Sequence, residues 1–320
     1  MHVSLLEWIV TLAVTIGVLL LDVAVIARRP GEPTMRGCAI ALSAYVGLAV
    51  AFGVWTWFLH GRQFAVEFFA GWLTEYSLSV DNLFVFVIVM TSFKVPRVYQ
   101  RQALFVGIVL ALILRGVFIA AGAAAIQQFS WVFYLFGVFL VYTAARLARG
   151  TTHQTNTENA AVRFARNRVK VTDSWHGLKL VVKEGSQRLL TPMALVILTL
   201  GTADLLFALD SIPAIYGLTS QAYLVLAANV FALMGLRQLY FMLEGLLAKL
   251  VYLSKGLGVI LAFIGVKLIL HALRENGVPF INGGKHVDVP EIPTLVSLGV
   301  IAATLVVAAG ASLWSSRART

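Results

Sequence analysis

The chain has 320 residues, 59% of them apolar and only 12% charged, with a mean hydropathy of +0.86 and a formal charge of +10 at pH 7. A soluble domain carries roughly twice that charged fraction, so the composition argues against a soluble enzyme, a disordered chain and a fibrous protein. A single cysteine, Cys38, leaves no intrachain disulfide and no Cys-based zinc or redox motif.

Apolar runs of membrane-spanning length predict an all-α polytopic membrane protein. Nine spans are expected, at about 5–27, 38–60, 64–92, 103–127, 129–147, 191–215, 222–247, 255–273 and 295–315. The first eight residues carry no Lys or Arg and the apolar stretch continues to Ala27, so the first span reads as a membrane helix rather than a cleaved signal. Arg28, Arg29 and Pro30 mark its inner end. If the spans alternate, 19 of the 25 basic residues fall on one side, three on the other (Arg62, Arg274 and Lys285) and three within spans. Positive loops stay cytoplasmic, which puts the N-terminus outside and the C-terminus inside. The basic excess is thus an orientation signal with contact to anionic lipid, and no nucleic-acid partner is expected. The expected partners are the lipid bilayer and a transported ion, and a homo-oligomer is compatible with the sequence.

Segment 148–190 is polar at first and then basic. It reads as a solvated cytoplasmic loop, with a lipid-surface helix or a regulatory loop as alternatives. Segment 274–294 carries His286, Asp288 and Glu291, which suits a plain connector better than surface metal capture.

Eight ionisable residues lie well inside spans: Asp22, Glu75, Asp81, Arg115, Asp204, Asp210, Arg237 and Lys267. Each would cost about 3 kcal/mol if exposed to lipid near a helix centre. They must therefore face one another, a wet cavity or a bound ion. Acids outnumber bases, and a surplus buried acid needs a proton or a cation. Arg115, Arg237 and Lys267, with Asp22, read as charge-pairing partners.

An internal repeat organises these residues. Glu75 and Asp81 are followed by Asn82 in the third span, and Asp204 and Asp210 by Ser211 in the sixth. The next span in each half carries an arginine, Arg115 after Ala111–Leu114 and Arg237 after Leu233–Leu236. Spans 3 and 6 run in opposite directions, so spans 3–5 and 6–8 form a 3+3 inverted repeat with a site near the midplane. The domains are then 1–63 (two N-terminal helices), 64–147 (first repeat), 148–190 (basic loop), 191–273 (second repeat) and 274–320 (outer loop and last helix). Six helical residues rise about 9 Å. Two levels are expected, Glu75 near Asp210 and Asp81 near Asp204. A helix break beside Pro213 would help to gather both acids of one helix.

The run Glu75-Tyr76-Ser77-Leu78-Ser79-Val80-Asp81-Asn82-Leu83-Phe84 resembles the TerC family of integral membrane proteins, in its Alx-like branch. So do Phe207 to Ile215, Asn229 to Arg237 and Phe263 to Lys267. The resemblance implies a multi-pass bacterial inner-membrane protein of metal-ion homeostasis, with manganese export as its activity and tellurium resistance as its historical label. It implies a metal site of Glu75, Asp81, Asn82, Asp204, Asp210 and Ser211. One departure is Gly201, where the family pattern has a Glu.

Hard oxygen ligands suit Mn²⁺, Ca²⁺ or Mg²⁺. The expected function is a secondary exporter of a divalent cation, Mn²⁺ first, in exchange for protons. No resident cofactor is expected, and the lack of a P-loop argues against ATP drive. The alternative is a non-transporting partner of a secretion or metal-resistance complex. No span-centre His or nucleophile–base motif points to an enzyme.

Overall fold

The computed structural model of the protein describes residues 3–28, 34–129, 131–149, 172, 174–175, 177, 179–184, 187–243, 252–275, 282 and 285–317. The first five helices are α1 (Leu5–Arg28), α2 (Met35–His60), α3 (Arg62–Ser92), α4 (Arg97–Gln128) and α5 (Val132–Ala148). An antiparallel hairpin follows, β1 (Val181–Glu184) with β2 (Gln187–Leu190). The remaining helices are α6 (Pro192–Tyr216), α7 (Ala222–Met234), α8 (Leu236–Leu243), α9 (Leu253–Arg274) and α10 (Thr294–Arg317). Among the described residues seven segments are long and apolar enough to cross a membrane, and Leu5–Val18 and Val132–Ala148 are shorter apolar helices. The protein is thus all-α in its membrane part, and each expected span overlaps a described helix.

Local chemistry sets the helix ends. Thr34 caps α2 by accepting from the Gly37 N–H, and Thr191 caps α6 by accepting from the Ala194 N–H, with Pro192 at the first helical position. Gly61 alone joins α2 to α3 at φ +96°, a backbone conformation that side chains rarely adopt.

Two expectations about helix breaks are corrected. Helix α6 runs unbroken through Pro213 to Tyr216. The residues after the proline are buried, and the Tyr216 hydroxyl donates to the Ile119 carbonyl at 2.7 Å, so tertiary anchoring holds the last turn despite the missing N–H. The expected seventh span is instead divided at Gly235, between α7 and α8, two residues before Arg237. The basic loop also differs from expectation where it is described. It ends in the hairpin, and Trp175 stacks on Tyr99 of α4 with ring centroids 6.1 Å apart. Residues 150–171 lie outside the described residues.

Helix directions follow from the contacts. Helices α4 and α6 are parallel, since a Cβ on Gly107 would touch Leu200 while one on Gly122 would touch Tyr216. Helices α3 and α7 are parallel as well, through Gly71 with Ala228 and Tyr76 with Gly235. Helices α3 and α6 are antiparallel, because Glu67 bonds Thr219 while Gly71 faces Ile215. Helices α5 and α9 are also antiparallel, and their contact is reciprocal. A Cβ on Gly137 would meet the Gly265 carbonyl at 2.9 Å, and a Cβ on Gly265 would meet the Gly137 carbonyl at 2.9 Å. The first would also approach the Ile269 nitrogen and the second the Val141 nitrogen.

The core lies along α3, α6 and α7. Leu83, Phe86, Val89 and Met90 of α3 pack against Met193, Val196 and Leu200 of α6. Phe52, Phe68, Tyr223 and Phe231 join α2, α3 and α7, and Trp8 docks α1 edge-on against Tyr223. Large apolar side chains such as Phe58, Ile113, Val117 and Val306 point outward, as a lipid-facing surface requires.

Candidate functional site

Arg115 is the largest fully buried side chain, and its guanidinium organises the polar centre of the bundle. Its Nη2 donates to Asp204 Oδ1 at 3.1 Å and its Nε to Asp204 Oδ2 at 3.4 Å, a two-pronged grip on one carboxylate. Its Nη1 donates to Ser211 Oγ at 3.4 Å and forms an ion pair with Glu75. Asn82 completes the set: with both ends of its amide satisfied, its nitrogen donates to the Leu78 carbonyl at 3.0 Å and its oxygen accepts from Arg115 Nη2 at 3.2 Å.

The helix register explains the convergence. On the antiparallel pair α3 and α6, Glu67 is level with Thr219 and Gly71 with Ile215. Counting onward sets Glu75 level with Ser211 and Asn82 level with Asp204. Arg115, from the parallel neighbour α4, reaches between the two levels and ties Glu75 of one to Asp204 of the other. All four partners are buried.

Asp204 and Asp210, six residues apart on a continuous helix, lie on different faces. Asp204 turns to Arg115, whereas Asp210 accepts from Thr143 Oγ1 of α5 at 3.1 Å. Asp210 stands at the level expected beside Glu75 but bonds Thr143, while Glu75 and Asp204, on different levels, are joined through Arg115. Lys267 lies away from the cluster and donates to Ser297 Oγ of α10 at 3.2 Å. The side chains of Asp22, Asp81 and Arg237 lie outside the described residues.

Among the described side chains the cluster is acidic by count: Glu75 and Asp204 share one guanidinium, and Asp210 accepts from neutral Thr143 with the charge of Arg146 nearby. The Glu75 carboxylate has no hydrogen-bond donor besides Arg115 among the described residues, and the nearby hydroxyls of Ser77 and Ser79 are buried without partners there. No group of three His, Cys, Asp or Glu residues close enough to hold a metal occurs among the described side chains. The oxygen set of Glu75, Asp204, Asn82 and Ser211 matches a hard cation chemically, and Arg115 holds its centre.

Two polar residues escaped sequence reasoning. Thr143 gives no signal, because a threonine in an apolar run most often bonds its own helix. Glu67 was legible: it stands eight residues before Glu75 in the third span, and it is buried. Gly201, at the position of the family glutamate, would bring an added Cβ within 2.6 Å of Leu110 Cδ2. Leu110 thus occupies the space that a side chain at this position would need.

The integral membrane protein TerC family matches residues 60–320. An uncharacterized membrane protein of Mycobacterium tuberculosis is 45% identical over 324 residues, covering 100% of this chain and 82% of that one. An uncharacterized membrane protein of Myxococcus xanthus is 36% identical over 311 residues, covering 97% and 92%. A protein of Escherichia coli called the putative membrane-bound redox modulator Alx is 34% identical over 313 residues, covering 94% and 92%. No solved structure matches. With a family match over most of its length and Alx relatives along nearly all of it, the chain belongs to the TerC family of integral membrane proteins, in its Alx-like branch.

Proposed function

We propose that the protein is a secondary transporter that exports a divalent metal cation, Mn²⁺ first, in exchange for protons across the bacterial inner membrane. The observation that carries this reading is that, among the described side chains, two buried carboxylates, Glu75 and Asp204, share the single guanidinium of Arg115. A purely structural lock would balance its charges, since unpaired buried charge is costly. In the cation-free protein Arg115 is the resident counter-charge. A divalent ion would take over Glu75 and Asp204, with Asn82 and Ser211 as neutral oxygens, and Asp81 and Asp210 would add charge from the next positions on each helix. Protons would neutralise the same carboxylates when the ion leaves, which is the simplest basis of exchange. The inverted repeat of residues 64–147 and 191–273 belongs to this proposal, as it supplies two equivalent halves that rock about the shared cluster. The reciprocal contact of Gly137 and Gly265 supports it.

The relatives named redox modulators do not favour dithiol exchange here, since Cys38 is the sole cysteine. We propose no enzyme activity. The alternative of a non-transporting partner in a secretion or metal-resistance complex draws on Leu180 and Val181, which are exposed at the start of the hairpin.

Flux from the purified protein in liposomes tests the proposal. Mn²⁺ should move against a proton gradient. Glu75→Gln and the double variant Asp81→Asn, Asp210→Asn should each stop it. Full Mn²⁺ export by that double variant would remove the acids from the pathway. Absence of Mn²⁺, Ca²⁺ and Mg²⁺ flux in the unmodified protein, where a known exporter works, would favour the partner-protein reading.

A further inference from the structure

A cavity of about 630 Å³ opens where the start of α3, the end of α6, the end of α9 and the start of α10 meet. Glu67 and Lys267 line it, and their opposite charges attract across it, so its polar lining is matched from within. A polar side chain that nothing described answers lies deeper, on α7. Asn229 is 1% exposed, and neither its amide nitrogen nor its oxygen has a hydrogen-bond partner among the described residues. A carboxamide offers two donor hydrogens and a carbonyl acceptor. Burying all of them unanswered inside a membrane bundle is costly, so an amide kept there points to something that it binds.

Helix geometry sets Asn229 on the wall of the Arg115 cluster. Val225 of α7 packs in one apolar cluster with Ile119 of α4 and Ile215 of α6. Gly71 of α3 shares that level, since a Cβ there would meet Ile215 at 3.2 Å. Helices α3 and α7 run one way, and α4 and α6 run the other. One turn onward in a common direction is therefore four residues later on α3 and α7 and four residues earlier on α4 and α6. That step leads from Gly71 to Glu75, from Val225 to Asn229, from Ile119 to Arg115 and from Ile215 to Ser211. Each residue keeps the face of the one before it. Arg115 is already joined to Glu75 and to Ser211. Asn229 is the fourth member of this layer, and its amide has no described partner.

We propose, on the transport reading given above, that Asn229 is a further ligand of the transported divalent cation, its Oδ1 binding the ion beside Glu75 and Ser211. A carboxamide oxygen is a hard, neutral donor of the kind that Mn²⁺, Mg²⁺ and Ca²⁺ accept. Because it takes up no proton, Asn229 adds a ligand without adding a site at which protons compete. Its part is to set which ion fits. An anion on the amide nitrogen would meet the carboxylates of Glu75 and Asp204 in the same cluster. A hydrogen-bonded lock between helices would need the partner that Asn229 lacks among the described residues.

Thermal unfolding and titrations with Mn²⁺ and Ca²⁺, on the full chain in detergent, test it in the unmodified protein and in Asn229→Leu. Leucine keeps the branched outline and removes an unanswered amide, so the melting temperature without divalent ion should stay level or rise. Added Mn²⁺ should stabilise the unmodified protein and should stabilise the variant much less, because binding should weaken about tenfold. The ratio of Mn²⁺ to Ca²⁺ affinity should also shift, since the two ions differ in size and in the number of ligands they take. A merely structural amide would leave that ratio alone. Asn229→Asp keeps the oxygen and adds charge, so it should bind Mn²⁺ more tightly than the unmodified protein. Should Asn229→Leu fail to fold, Asn229→Asp decides, and unchanged Mn²⁺ affinity in it would overturn the assignment. Unchanged Mn²⁺ affinity and an unchanged ratio in folded Asn229→Leu would overturn it as well, and the transport reading would stand. A melting temperature that falls without divalent ion, with the ratio unchanged, would make Asn229 a structural residue instead. Absence of Mn²⁺, Ca²⁺ and Mg²⁺ binding by the unmodified protein would overturn both this ligand and the transport reading.

Discussion

Arg115 on α4 and Asp204 on α6 form a fork-to-carboxylate pair in the centre of the bundle, and the same guanidinium extends to Glu75 on α3. Three helices, α3, α4 and α6, are thereby fixed to one side chain. The pair is buried on all sides, so neither charge has water as an alternative partner.

Removing the guanidinium should therefore unsettle the fold before it affects any transport. Arg115→Met leaves Glu75 and Asp204 buried without a cation, at a cost of about 3–5 kcal/mol. A sharp fall in monodisperse protein on size exclusion is expected. Arg115→Met combined with Asp204→Asn should recover part of it, because one orphaned charge is gone. Normal yield and melting temperature of the single variant would mean that the guanidinium is hydrated.

Asp210 should behave differently. Its one described hydrogen bond is to Thr143, so Asp210→Asn keeps a hydrogen-bonding side chain and leaves the Arg115 cluster whole. The melting temperature should move little, within about 1 kcal/mol, the worth of an ordinary hydrogen bond. Loss of flux in that variant with stability retained would separate transport chemistry from folding. A loss of stability as large as that of Arg115→Met would tie Asp210 to the structural core instead.

The α5–α9 contact gives a packing prediction. Gly137→Ala and Gly265→Ala each place a Cβ 2.9 Å from a carbonyl oxygen of the facing helix, and backbone cannot swing aside as a side-chain tip can. Each should destabilise by about 1–3 kcal/mol. Once either substitution has spread the helices, the second should cost less, so the double variant should lose less than the total of the singles. Strict additivity would show that the two contacts act independently.

Gly201→Glu tests the family departure. An added Cβ meets Leu110 Cδ2 at 2.6 Å, the far end of a flexible side chain, so the obstruction is removable. The single variant should lose stability, and Leu110→Ala should restore it by opening space. If the restored carboxylate joins a cation site, the double variant should also bind Mn²⁺ more tightly than the unmodified protein in a titration. Unchanged affinity in a stable double variant would leave this position outside the site.

Orientation can be read directly. In a Cys38→Ala background, cysteines at Thr155 and Asn282 should label from opposite sides of the membrane, with Asn282 outside. Labelling of both from the same side would remove the alternating directions on which the inverted repeat depends.

The sequence by itself determined the membrane class, the placement of the long apolar runs, and the presence of costly polar residues within them. Hydrocarbon leaves a chain no alternative to closing its hydrogen bonds within helices, so runs such as Arg62–Ser92 and Pro192–Tyr216 announce themselves. It also paired the acid-bearing helices with the arginine-bearing ones, because intramembrane charges are too costly to scatter. Which acid meets which base was decided only in three dimensions. Helix periodicity tells that Asp204 and Asp210 diverge, but not that α4 would present Arg115 to one and α5 would present Thr143 to the other. Helix continuity was decided there too. Pro213 carries the strongest local breaker and stays helical because Tyr216 anchors the turn beyond it. Gly235, an unremarkable glycine by sequence, marks the division between α7 and α8, where an added Cβ would meet Leu42 Cδ1 at 2.8 Å. The cavity of Glu67 and Lys267 belongs to the same class. Its two charges lie 200 positions apart in the chain, and only the packing of α3 against α6, α9 and α10 makes them line one cavity.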